Sequence, residues 1–160
     1  MFRERRRKRQ LLNRRGHREC SRFSVLGDND YPYAVPLNYV YCDGKIYFHS
    51  AKAGHKLDAM IRNSKVSFCV IDQDNIIPEE YTSYFRSMIV FGKMHIIEDK
   101  EEKRKVIEKL AIKYSPKDSK VNRKRVIEKE EKALCMLELC IEHISGKESI
   151  ELVKKKIQKS

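Results

Sequence analysis

The 160-residue sequence contains no run approaching the eighteen or so apolar residues of a membrane span, and no N-terminal apolar stretch of the kind a secretory signal needs. A soluble, cytoplasmic protein is expected. P-loop, dinucleotide fingerprint, G-x-S-x-G elbow and H-E-x-x-H helix are all missing, which excludes the phosphate-cradling, hydrolase and zinc-protease chemistries those motifs carry. The five cysteines, Cys20, Cys42, Cys69, Cys135 and Cys140, are odd in number and form no C-x-x-C pair. Neither a disulfide framework nor a zinc site is indicated, and most of these thiols are expected to be buried as small hydrophobes. The histidines at 17, 49, 55, 95 and 143 do not fall at metal-ligand spacing, so no metal is expected, and His95 and His143 read as strand-face or surface residues. No internal repeat appears.

What is present is positive charge, unevenly placed. The net charge is +12, and residues 1 to 22 hold ten Arg or Lys against Glu4 and Glu19. That segment therefore supplies +8, leaving little excess on the rest of the chain. With only Phe2, Leu11 and Leu12 as apolar anchors, residues 1–20 read as a basic N-terminal arm. It lacks the interleaved aromatics on which nucleic-acid bases stack, so a solvated arm is favoured over a nucleic-acid contact. Residues 21–153 form one domain, and the Lys-rich stretch 154–160 is expected to be a disordered tail.

Within the domain, the pattern is mainly β with helices. A strand at Phe23 to Leu26 leads through the Gly27 to Pro32 turn into Tyr33 to Tyr41, a strand interrupted by Pro36. Proline cannot donate to a ladder, so this strand belongs at an edge, a bulge or a gap in a barrel. Asp43-Gly44 makes a tight hairpin to Ile46–Ser50. Helical spacing then runs to Asn63, followed by a strand at 66–71, a polar loop through Pro78, and a long strand from Tyr84 to Ile97 in which Gly92 marks a bend or bulge. Its first half is apolar on both parities, which suits a closed barrel. Asp99 with Glu102 reads as a capping box opening a helix that Ser115-Pro116 stops; an exposed helix spans 118–132 and the last strand 134–144. Six strands with appended helices describe a small barrel.

The stretch richest in chemistry is Tyr47 to Lys56. Here an alternating strand ends at Ser50 and passes into a helix start carrying Lys52, His55 and Lys56, with Gly54 in the first turn. Free amides and the positive end of the dipole make such a junction a place for an anion, a phosphate being the natural guest. The bland reading, lysines as solubilising charge, weakens beside two further features: the gapped strand at Pro36, and Arg86-Ser87 opening another strand as a possible wall.

Three ordered motifs carry a resemblance. Tyr31-Pro32-Tyr33-x-x-Pro36-Leu37-Asn38-Tyr39, Phe48-His49-Ser50-Ala51-x-x-Gly54-x-Lys56 and Tyr84-Phe85-Arg86-Ser87-x-x-Val90-Phe91-Gly92 resemble the split-barrel, FMN-binding family of pyridoxamine 5'-phosphate oxidase-like proteins, in particular its nitroimidazole-resistance (Nim) branch. The resemblance spans about residues 22 to 150. It implies a homodimer of six-stranded split β-barrels of Greek-key type, with FMN at the subunit interfaces and a small organic acceptor such as a nitroaromatic as substrate. It also implies that Val35, Pro36, Leu37, Asn38 and Tyr39 line the flavin ring, and that His49, Ser50, Ala51 and Lys52 lie beside ring and phosphate chain. His55 and Lys56 match positions that grip the phosphate, Arg86 and Ser87 positions that reach ring or phosphate from the neighbouring strand, and His49 a position implicated in chemistry. The same fold implies an alternative, a flavin, heme or deazaflavin binding protein without turnover, or one using its arm for nucleic acid. One departure stands out: 13–20, where the family has a helix before the first strand, has no amphipathic face, so that helix is expected to be shortened or replaced.

Overall fold

The computed structural model describes Leu12 and residues 20–158. Expectations for the N-terminal arm and for the helix before the first strand fall outside the described residues, except at Leu12, which is helical and buried in the main core.

Seven strands form one open antiparallel sheet: β1 (Cys20–Leu26), β2 (Pro32–Pro36), β3 (Tyr39–Cys42), β4 (Lys45–Ala51), β5 (Lys65–Ile77), β6 (Thr82–Ile96) and β7 (Leu134–Glu148). Their spatial order is β2-β1-β5-β6-β7-β4-β3. The helices are α1 (His55–Arg62), α2 (Lys100–Tyr114), α3 (Lys120–Glu130) and α4 (Ile150–Ile157). The count is seven rather than six because the run at 33–41 is cut in two. Pro36 closes β2 opposite Arg22, and Tyr39 opens β3 opposite Phe48, so the interrupted strand becomes the two edges of the sheet. Only Leu37 and Asn38 join them. Three peptide steps span at most about 11 Å, so the sheet must curl until its edges nearly meet, which makes a barrel with a split at the proline.

The inner face alternates as a half-buried sheet should. Phe23, Phe48, Phe68 and Tyr39 fill the barrel in tilted and edge-on ring contacts of 4.9–5.6 Å, surrounded by Ile46, Met88, Val90, Leu137 and Leu139. A second, smaller core lies on the other face of β4 and β7. There Tyr47 and Met136 meet Val106, Ile107 and Leu110 of α2 and Ile127 of α3. Asp99 caps α2 by accepting from the Glu102 amide at 2.8 Å, as the capping box predicts.

Several boundaries differ from the sequence expectation. The polar segment 72–77 is strand rather than loop, because it pairs with Thr82 to Arg86 and extends β5 and β6 into a hairpin past a bulge at Ile71/Gln73. Ser145-Gly146-Lys147 is likewise strand, held by Ile89, Met88 and Ser87. Strand β6 is not buried on both faces: Tyr84, Met88 and Val90 are inside, whereas Phe85 and Phe91 are exposed on the outer face. Gly92 does sit at a β-bulge, where a Cβ would lie 2.1 Å from the carbonyl oxygen of Cys140. Helix α4 continues through Lys154 to Ile157, part of the stretch expected to be a disordered tail. All five cysteines are free; Cys135 alone is fully buried and the other four are half-buried, being on outward or terminal strand positions. Among the described residues, no helix is long and apolar enough to cross a membrane.

Candidate functional site

The split is lined with polar groups. Ser21, Arg22, Pro36, Leu37 and Asn38 on one side and His49 on the other enclose a cavity of about 290 Å³. Its shape is held by the Ser21 hydroxyl, which donates to the Leu37 carbonyl at 2.6 Å and so ties β1 to the short linker between the sheet edges. A second tie comes from α2. The Tyr114 hydroxyl accepts from the amide of Tyr39 at 2.9 Å and donates to its carbonyl at 3.1 Å, completing the edge of β3 where a neighbouring strand would otherwise pair.

His49 alternates outward from the barrel interior between buried Phe48 and Ser50. Burial and, secondarily, the nearby Lys56 ammonium push its imidazole below the usual value near 6.5, so at neutral pH it is an uncharged ring with one donor and one acceptor nitrogen. Burial also lowers Lys56, which faces the Cys135 thiol. Cys135 lies directly across from Ser50 in the ladder; burial raises its thiol, while Lys103, Lys52 and Lys56 oppose that rise. Lys52, Lys56, Ser50 and His49 thus converge at the end of β4. Neither Lys52 nor Lys56 has a carboxylate partner among the described residues, in contrast to Lys45, Arg62, Arg86 and Lys109, each of which does. Helix α1 follows with no side-chain cap; Gly54 precedes it at φ 127°, a conformation open essentially to glycine alone, and a Cβ there would meet nothing within 4 Å. The backbone at this turn is open to a ligand, with uncapped amides and two unpaired ammonium groups beside it.

The structure therefore brings together Pro36, Leu37, Asn38 and His49 around the cavity, with Ser50, Lys52 and Lys56 adjoining. Val35 and Tyr39 flank the linker but turn into or against the core, and Ala51 is the exposed end of β4, opposite Leu134. His55 is engaged elsewhere: its Nδ1 lies 3.2 Å from Asp28 and its ring packs edge-on to Tyr33 at 4.6 Å, so with Arg62 it fastens α1 to the β1–β2 turn. Within one chain Arg86 and Ser87 are not walls of this cavity. Neither is among the residues that line it, although Ser87 lies only two strands away, across Ile71 of β5 from Cys20, and Arg86 is one step further along β6, opposite Gln73. The Arg86 guanidinium is taken by Asp72 at 2.8 Å and Glu148 at 2.7 Å. Sequence reasoning missed Ser21 and Arg22 as site residues, because Arg22 reads as the last charge of the basic arm. The signal available was the alternation Ser21, Phe23, Val25, which places Arg22 on the outer face of β1.

A family model described as pyridoxamine 5'-phosphate oxidase matches residues 10–148. Among solved structures, the chain is similar to a candidate 5-nitroimidazole antibiotic resistance protein from Bacteroides thetaiotaomicron, at TM-score 0.69 and 20% identity over 88% of this chain and 81% of that one. It is similar to a conserved hypothetical protein from Mycobacterium tuberculosis, at TM-score 0.73 and 16% identity over the same shares, 88% and 81%. A protein from Mycobacterium smegmatis that binds FAD and heme aligns at TM-score 0.69 and 22% identity, over 91% of this chain and 71% of that one. These likenesses establish the split-barrel fold. No curated protein matches the sequence.

Proposed function

The chain belongs to the pyridoxamine 5'-phosphate oxidase family, and from that premise we propose that it is an FMN-dependent oxidoreductase that reduces a small organic acceptor such as a nitroaromatic. The observation that carries the reading is the cavity at the barrel split, where Pro36, Leu37 and Asn38 face His49 and two unpaired lysines stand beside an uncapped helix start. The donor set fits the group. Backbone amides at Gly54 and His55 and the ammonium groups of Lys52 and Lys56 are partners for a phosphate, while the linker offers backbone polar groups and flat apolar surface to a ring. Bound there, FMN supplies the reversible carriage of electrons.

The chain's own residues do the rest. Lys56 and Lys52 hold the phosphate end, and Ser50, buried one residue before the exposed end of β4, stands between them and His49 in the chain. His49, kept neutral by burial, can donate or take one proton at the substrate, and is the residue we assign to chemistry. Leu37 and the core aromatics behind it exclude water from one face of the cavity. We further propose that the protein works as a homodimer with FMN at the subunit interfaces. Phe85 and Phe91, exposed on the outer face of β6, give such an interface an apolar centre. Five free thiols accord with a reducing compartment, and the cytoplasm is the proposed location.

Absorbance of the purified protein, with and without added FMN, tests the reading, followed by bleaching with NADH or NADPH and reoxidation by a nitroaromatic. A flavin spectrum that responds to both reagents is expected. A protein that stays colourless and leaves flavin fluorescence unquenched in titration overturns it, and a Soret band would move the assignment to heme.

A further inference from the structure

The cationic side chains around the split differ in what they are committed to. Lys52 and Lys56 stand at the helix start, where the phosphate end is placed, His49 is uncharged at neutral pH because burial lowers its imidazole, and Arg86 is neutralised by Asp72 and Glu148 in its own network. Arg22 is different. It lines the cavity, its side chain makes a single hydrogen bond, from Nη1 to the Ser21 carbonyl at 3.1 Å, and no carboxylate pairs with it among the described residues. It also sits on a rigid position, the middle strand of β2-β1-β5, between Pro36 and Cys69 in the ladder. The cavity's other lining residues, Ser21, Pro36, Leu37, Asn38 and His49, include no acid. A guanidinium stays charged when drawn into such a place, so the cavity has a built-in positive potential at the end where the linker backbone lies.

We propose that Arg22 is the fixed cation that faces the ring end of the bound flavin and favours its reduced, anionic form over the oxidised one. This rests on the flavin reading of the site and names a residue that neither the motifs nor the family match assigns. The charge balance is simple: uptake of two electrons and one proton leaves one net negative charge on the ring, and a nearby cation stabilises that charge while doing little for the neutral oxidised form. A residue acting this way sets how readily the protein accepts electrons, and its effect differs from that of the lysines, whose partner, the phosphate, is charged in both redox states.

The test is a pair of titrations on the full chain, with oxidised FMN and with FMN reduced by dithionite, on the parent and on Arg22→Gln and Arg22→Lys. Arg22→Gln is expected to weaken binding of the reduced form about tenfold more than the oxidised form, equivalent to a two-electron potential lower by about 30 mV. Arg22→Lys is expected to recover a large part of the difference. If the two forms weaken by the same factor, or neither changes, the assignment of Arg22 is overturned and the flavin reading stands. If the parent binds neither form, the flavin reading itself fails. Circular dichroism of both variants, expected to match the parent because Arg22 is exposed and unpaired, separates either result from misfolding.

Discussion

Replacing Tyr114 by Phe removes one oxygen and nothing else, yet it acts at the most sensitive place in the barrel. The Tyr114 hydroxyl satisfies both backbone groups of Tyr39, accepting from its amide at 2.9 Å and donating to its carbonyl at 3.1 Å, across 75 residues of sequence. Tyr39 is fully buried and opens β3, the edge beside the Leu37-Asn38 linker. A net intramolecular hydrogen bond is worth about 0.5–1.5 kcal/mol, and a buried group left without a partner costs about 1–3 kcal/mol. Tyr114 itself is 42% exposed, so water can reach part of the gap, and the two losses together should come to about 2 kcal/mol. For a chain of this size that is roughly a 4–8 °C fall in Tm. Lys113, whose ammonium stands 3.6 Å above the Tyr39 ring, remains in the variant, so α2 stays docked and the loss is local. Urea denaturation measures the first quantity, and native-state exchange of the Tyr39 amide the second; exchange at Tyr39 should quicken more than at Phe48 or Phe68. A variant within about 0.3 kcal/mol of the parent, with an unchanged Tyr39 amide, would refute the claim that this hydroxyl completes the edge of the split.

Other expectations follow from the same contacts. Lys56→Ala should weaken FMN about ten- to a hundredfold, the value of a charge-assisted hydrogen bond to phosphate, while leaving riboflavin, which has no phosphate, nearly unaffected; equal losses for the two ligands in fluorescence titration would remove Lys56 from the phosphate end. Gly92→Ala places a Cβ 2.1 Å from the Cys140 carbonyl oxygen, a backbone clash that should cost about 3 kcal/mol or more; thermal melts equal to the parent's would show that the β6–β7 bulge can relax. Burial works to raise the Glu138 carboxyl, but hydrogen bonds from Lys45 at 2.9 Å and Cys140 at 3.2 Å outweigh it and hold the group below its ordinary value. The folded pKa being the lower one, Glu138 contributes stability that is fully present well above about pH 4.3 and is lost as pH falls through the folded value. Glu138→Gln should therefore flatten the acid limb of the stability curve below about pH 5, and an acid limb identical to the parent's would exclude this pair as its source.

Much of the fold was legible because local chemistry and tertiary context agree. Asp43-Gly44 takes the two positive φ values of 51° and 84° that a tight hairpin needs. The helix start at Asp99 is capped as its capping box implies, and Gly92 forms the bulge. The polar part of β5, by contrast, reads as loop in isolation: residues 72 to 77 gain strand structure only from pairing with the start of β6. The exposure of Phe85 and Phe91 was likewise hidden, since apolar composition alone does not say which face of a strand is covered.

The site divides in the same way. Sequence by itself determined that a proline-broken strand and a strand-to-helix junction carrying His49, Ser50, Lys52 and Lys56 are the chemically rich segments, because proline's missing donor and the junction's amides are properties of residue type and order. Tertiary structure alone decided which residues share the cavity. It set the His55 imidazole against Asp28, paired Arg86 with Asp72 and Glu148, and brought Ser21 and Arg22 to the split. Each outcome depends on which strand lies beside which and on which carboxylate is within reach, and neither can be read from a linear order of charges.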